Sequence, residues 1–251
     1  MSQPKPPIAE HVREALRALH DPARALGSAR FFKTGKGQYG EGDRFLGVTV
    51  PVQRTVARAH RGLPLPEIEA LLASAIHEER LTALFVLVDA YEGGDDTTKR
   101  ACFDLYLRNL AWVNNWDLVD ASAHLIVGDW LLTRDRRILR KLARSKILWE
   151  RRVAMIATLA FIRAGESEDA FAIATLLLGD THDLMHKAVG WMLREVGKRV
   201  GEDTLRAFLK ERAAEMPRTA LRYAIEHFSE AERKTWREVK RRAPGSQSEE
   251  G

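Results

Sequence analysis

Residues 77–88, HEERLTALFVLV, decide the fold of this chain. A charged or aromatic residue leads straight into an apolar run. The same layout returns as NNWDLVDASAHL (114–125), WERRVAMIATLAF (149–161), MHKAVGWMLREV (185–196) and ALRYAIEHF (220–228). With Arg80, Trp116, Arg152, Lys187 and Arg222 as anchors, successive spacings are 36, 36, 35 and 35 residues. A steady period of that size without strand signals marks stacked helical hairpins. Segments 97–112, 134–145, 167–179 and 201–214 carry apolar residues at helical spacing and supply the partner helices. Gly62-Leu63-Pro64, Gly93-Gly94 and Gly179-Asp180 fall where such hairpins turn. The expected fold is all-α: an α-helical solenoid of HEAT-like helical-hairpin repeats, its repeated helices lining a concave wall. An irregular helical domain is the competing reading.

Composition agrees with helix. Of 251 residues 45% are hydrophobic, with Ala, Leu, Glu and Arg prominent, and runs of alternating β-branched residues are scarce. The expected organisation is one repeat domain over residues 1–241 and a disordered tail over 242–251. Cys102 is the sole cysteine, which excludes disulfide frameworks and cysteine-based zinc sites and fits a reducing compartment. MSQPKPPIAEHV (1–12) has no apolar run of the signal-peptide kind, and no stretch is long enough to span a bilayer. A cytoplasmic protein is expected, nucleoid-associated in a bacterium.

Charge is uneven. The net value is +5, yet Lys187 to Arg242 alone holds fifteen Lys or Arg against nine Asp or Glu. That surplus suits a polyanion such as nucleic acid, and equally a solvated surface.

The residue four after each anchor is informative. It is Leu84 after Arg80 and Ile156 after Arg152, aliphatic as a scaffold helix requires, with the two arginines expected to snorkel at their helix starts. After Trp116 it is Asp120, and after Lys187 it is Trp191. Two repeats thus carry side chains with chemistry where packing would be expected. Asn114 or Asn115 is a good N-cap, and Asp117 then complements the helix dipole in the first turn. Asp120 lies beyond the cap, on the same face as Trp116. A surface carboxylate or an interhelical salt bridge is its plainer explanation.

At 100° per residue, Lys187, Trp191, Arg194 and Lys198 share one stripe, while Ala188, Val189, Met192, Leu193 and Val196 take the opposite side. An indole among cations suits a nucleic acid sugar or base, or simply covers apolar surface. Arg218 and Arg222, four apart behind Pro217, are spaced like a phosphate-binding pair and also like ordinary exposed arginines. The glycine-rich stretch 31–51, FFKTGKGQYGEGDRFLGVTVP, holds Lys33 and Lys36 and could form a basic flap; it lacks P-loop spacing. His182 and His186 are one turn apart without the following glutamate of a metalloprotease helix, so neither a metal nor another cofactor is expected.

These residues resemble a known family, the AlkD-like DNA glycosylases of the DNA alkylation repair group, built from HEAT-like repeats. The resemblance rests on FLGVTVPVQR (45–54), WDLVD (116–120), GD (128–129), WERR (149–152) and KAVGWMLRE (187–195), and covers most of the chain. It implies that Trp116, Asp120 and Trp191 form the catalytic set and that Arg152 contacts DNA. Lys187, Arg194, Lys198, Arg218, Arg222, Lys33, Lys36 and Arg54 are then the further DNA-binding candidates. The implied activity is monofunctional, metal-free release of N3- and N7-alkylated, positively charged purines from duplex DNA by a monomer, with the damaged nucleotide able to remain stacked.

The chemistry fits the residues. A cationic purine is already a good leaving group, so the task is to stabilise positive charge on the deoxyribose, which a carboxylate and indole faces can do. No lysine stands in the candidate site as an obvious Schiff-base nucleophile. Three departures matter. Phe31 or Phe32 occupies the segment where the family's representative has a tyrosine, and the glycine-rich insertion lengthens the loop before FLG. The basic residue expected after Arg152 on its helix is out of register, with Arg163 as a substitute. Rival readings are a non-catalytic binder of branched or damaged DNA and a protein-binding helical scaffold.

Overall fold

The computed structural model describes residues 8–240. The tail expected at 242–251 lies outside the described residues. Among these, the chain is all-α: helices follow one another without a strand, and the only extended pairing is one isolated bridge between Arg44 and Ile76. The helices that carry the repeat anchors begin at His77, Trp116, Leu148, Asp183 and Arg218, at intervals of 39, 32, 35 and 35 residues. The chain divides into two compact units, one ending at Trp130 and the other starting at Leu131.

In the first unit α1 (Ala9–Arg17), α2 (Pro22–Phe31), α3 (Val50–Ala59) and α4 (Leu65–Leu72) precede α5 (His77–Gly93) and α6 (Asp96–Arg108). Helix α5 is buried from His77 through Leu87 because α1, α3, α4 and α6 all pack against it. A helix apolar on every side must lie inside the unit. Helix α2 buries none of its residues and is anchored at its start, where Asp21 accepts from the Arg24 amide at 3.0 Å. Gly47 brings the loop beneath it: its φ is +79°, and a Cβ there would meet the Asp21 carbonyl oxygen at 2.3 Å. After a 3₁₀ turn, α7 (Trp116–Asp120) lasts five residues, a π-helical turn covers His124–Gly128, and α8 (Asp129–Leu131) resumes the helix. Single π turns re-aim the residues beside them and recur at functional sites.

The second unit contains α9 (Arg137–Ala143), α10 (Leu148–Arg163), α11 (Glu168–Leu177), α12 (Asp183–Arg199), α13 (Glu202–Arg212), α14 (Arg218–Ala224) and α15 (Glu230–Glu238). Helix α10 is buried from Arg152 to Ile162 between α9, α11 and α12, and α12 packs on α13 and α14. Gly190 sets the α12–α14 approach, since a Cβ would stand 2.4 Å from the Ala220 carbonyl oxygen and 2.5 Å from the Tyr223 Cβ.

Arg80 and Arg152 do not snorkel. They are 2% and 4% exposed, Arg80 in the buried first turn of α5 and Arg152 where the fully buried stretch of α10 begins. Buried guanidinium groups need acceptors. Arg80 finds the Ser74 carbonyl at 2.8 Å and Asp43 at 2.5 Å, and Arg152 finds the Leu184 carbonyl at 2.5 Å.

Candidate functional site

Asn115 builds the start of α7. Its side-chain oxygen accepts from the Trp116 amide at 2.8 Å, and its amide nitrogen donates to Asp43 at 3.1 Å. Leu118 and Val119 enter the core, which leaves Trp116 and Asp120, one turn apart, half-buried. Trp116 ends an aromatic column: Phe32 stacks on it at 5.4 Å and 17°, and Phe45 stacks on Phe32 at 5.1 Å and 18°. Phe31 meets Trp116 edge-on at 6.0 Å and is 65% exposed. Below Asp120, the buried Tyr106 hydroxyl lies 3.0 Å from the Ser122 hydroxyl. Burial first, and the Asp120 charge in addition, push that phenol well above its ordinary range, partly offset by Ser122. Asp129, of the GD pair, accepts from the Tyr91 hydroxyl at 2.7 Å.

Sequence reading missed the residues that organise this region, His77, Glu78, Glu79 and Arg80, all buried at the first turn of α5. His77 lies between two carboxylates, with Nδ1 3.0 Å from Asp43 and Nε2 2.8 Å from Asp117. Burial opposes a charge on its ring, but the hydrogen bonds to Asp117 and Asp43 outweigh it and raise His77 to about 9. Asp43 moves the other way: burial disfavours its charge, and His77, Arg80 and Asn115 together hold it below the usual carboxylate range. Glu78 accepts from the Leu46, Gly47 and Val48 amides at 2.9, 2.8 and 3.3 Å, which fixes the FLGV turn. Glu79 accepts from the Ser74 hydroxyl at 2.6 Å. The available signal was four consecutive polar, ionisable residues opening a helix that is apolar all round.

Of the first unit's cationic candidates, Lys33 and Lys36 are exposed on the glycine-rich loop, and Lys33 adopts a left-handed φ of 52°. Arg54 is exposed and lies over the Phe85 ring at 4.1 Å. With Arg58, Arg61 and Asp89 it borders a cleft of about 250 Å³ that also reaches Ala121, next to Asp120.

In the second unit, Ala188, Val189, Met192, Leu193 and Val196 are buried, while Lys187, Trp191 and Arg194 are half-buried and Lys198 is exposed. The two sides of α12 are therefore those of the angular spacing. Lys187 pairs with Asp183 at 2.7 Å, and Arg194 pairs with Glu226. Arg152 is turned inward onto the α12 backbone, as described above. Arg218 and Arg222 are exposed and, with Arg237, border a groove of about 230 Å³. Arg163 is exposed at the end of α10. His182 caps α12, accepting from the Leu184 amide at 3.2 Å, and His186 Nε2 meets the Asp180 carbonyl at 2.6 Å.

The fold has a counterpart among solved structures. A solved structure described as a predicted DNA alkylation repair enzyme from Enterococcus faecalis superposes with a TM-score of 0.65. It is 18% identical, and the match covers 84% of this chain and 97% of that one. At that identity the likeness speaks for the fold alone. None of the proteins of curated function matches the sequence. The model of the family described as DNA alkylation repair enzyme matches residues 12–228, almost the whole described region. The chain belongs to the DNA alkylation repair enzyme family, and its role lies in DNA repair.

Proposed function

We propose that the protein is a monofunctional DNA glycosylase that hydrolyses the N-glycosidic bond of cationic N3- and N7-alkylated purines in duplex DNA. One observation carries the reading: Asp120 stands one turn beyond Trp116, past any capping role, at the end of a five-residue helix that leads into a π turn. As the glycosidic bond lengthens, positive charge grows on the deoxyribose. The Asp120 carboxylate stabilises that charge and orients the attacking water. The face of Trp116 contributes about 0.5–2 kcal/mol by cation–π attraction to the electron-poor sugar, and Trp191, the second indole of the proposed catalytic set, offers the same kind of face on α12. Lys33, Lys36, Arg54, Lys198, Arg218 and Arg222, exposed as they are, hold phosphates, with Lys187 and Arg194 beside Trp191 on the same helix. Arg152, being buried, serves the DNA contact through the α12 backbone that it braces.

The test is release of N7-methylguanine and 3-methyladenine from methylated duplex DNA. The wild-type protein releases both and leaves uracil, a neutral base without a comparable leaving group, untouched. Asp120→Asn lowers release about 100-fold or more while retaining affinity for DNA. Equal release by that variant removes the mechanism. Salt-dependent binding of branched DNA, with no release of any methylated base, would favour the non-catalytic reading.

A further inference from the structure

The glycine-rich segment that precedes FLG ends in Asp43, and Asp43 reaches the helix that carries Trp116 and Asp120. We infer that His77 is a positioning residue: its imidazolium clamps the end of this loop to α7 and thereby fixes Trp116 and Asp120 in their working orientation. The inference rests on the glycosylase reading of Asp120.

Three observations converge on it. First, α7 cannot orient itself. Five residues are too few for a self-sustaining helix, so contacts from outside it must set its direction. Second, the residues on either side of Trp116 are both tied to the same cluster. Asn115 donates to Asp43 Oδ2, and Asp117 Oδ2 faces His77 Nε2 at 2.8 Å. Third, the His77 ring stacks on Phe45 at 4.7 Å and lies 4.8 Å from Phe32, which in turn stacks on Trp116. One ring therefore grips α7 twice, through a carboxylate and through the aromatic column.

The charges close. Asp43 from the loop and Asp117 from α7 face His77, and Arg80 on its own helix faces Asp43. Glu78, the neighbour on α5, is turned to the Leu46–Val48 amides instead. Two carboxylates and two cations leave the cluster neutral while His77 is protonated. Loss of that proton removes one of the two donors and leaves a buried negative charge, so α7 loosens above the His77 pKa of about 9.

The test compares the wild-type protein with His77→Gln in two readouts. The first is steady-state excision of N7-methylguanine across pH. The wild-type kcat falls through a midpoint near 9, whereas His77→Gln has a kcat about 10-fold lower or worse, an unchanged KM, and no such limb. The second is the Trp116 indole N–H resonance, assigned by its loss in Trp116→Phe, followed by pH titration without DNA. In the wild-type protein it shifts with the same midpoint, and in His77→Gln the shift is absent. An indole that titrates in a wild-type protein lacking excision would uphold the clamp and remove the glycosylase reading. Excision without any indole titration or kcat loss in His77→Gln overturns the clamp and spares the enzyme. If His77→Gln does not fold, the wild-type indole titration alone decides: no shift near pH 9 overturns the inference.

Discussion

Protonation of His77 links stability to pH in the window between its ordinary value and its raised one. The folded-state pKa of about 9 exceeds the ordinary value of 6.5, so the native state binds the proton more tightly than the unfolded chain. The resulting stabilisation is complete below the ordinary value and is lost as pH rises through 9. The shift corresponds to ~3 kcal/mol at full protonation, ~2.5 near pH 7 and below ~0.5 at pH 9. Other shifted groups act elsewhere. His182 and His227 are lowered, chiefly by burial, so their linkage lies below 6.5. The stabilisation linked to Asp43 is lost only as pH falls below 3.8, and that linked to Cys102, whose thiol burial raises to about 11, only as pH rises above 9.

The assay is urea unfolding by tryptophan fluorescence at several pH values between about 7 and about 9, in the wild-type protein and in His77→Gln. The wild-type protein loses ~2 kcal/mol across that range, a midpoint shift of about 1 M urea. The variant starts less stable and stays level. Subtracting the two curves removes whatever the second unit contributes, because the substitution lies in the first. Parallel decline in both proteins would refute the reasoning, as would a wild-type curve that is flat.

Gly190→Ala places a methyl group against the Ala220 carbonyl and the Tyr223 Cβ, two contacts that backbone must move to relieve. The expected cost is about 1–3 kcal/mol, a fall in Tm of several degrees by calorimetry, and an unchanged Tm contradicts the close approach. Arg222→Ala removes one exposed cation from the Arg218–Arg237 groove. If that groove holds a phosphate, the slope of log K against log salt becomes shallower by about 1 for every duplex sequence tried, and an unchanged slope excludes it.

Much of the fold was legible because its information is local. A 35-to-36-residue period needs only the chain itself, and the partition of α12 follows from helical angle alone. The same local reading misjudged Arg80 and Arg152. Whether a first-turn arginine reaches water depends on what lies over it, and helical periodicity is silent on that. Asp117 shows the limit more sharply. Its place in a first turn was a sufficient local explanation, and sufficiency hid its bond to His77, forty residues earlier in the chain. His77 itself has no local signature, since its partners come from a loop 34 residues away and from α7, and only the folded unit assembles them.

Why should a buried, charged cluster support α7 when apolar contacts would do so at lower electrostatic cost? Removing ions from water costs several kcal/mol per ion even after relaxation, and hydrocarbon of the same shape often serves stability equally well. Hydrocarbon, however, tolerates sliding, whereas hydrogen bonds of 2.8–3.0 Å at both ring nitrogens constrain distance and direction together. Under the proposed mechanism a five-residue helix that presents a carboxylate to a transient cation needs that constraint, because electrostatic stabilisation acts only where the charge develops. Phe32 and Phe45 exclude water from the same ring, which strengthens the two bonds. The His-Glu-Glu-Arg turn of α5 is thus a device for orientation as well as for stability, and its cost in buried charge is lowered by the carboxylates that pair His77 and Arg80 and by the amides that hold Glu78.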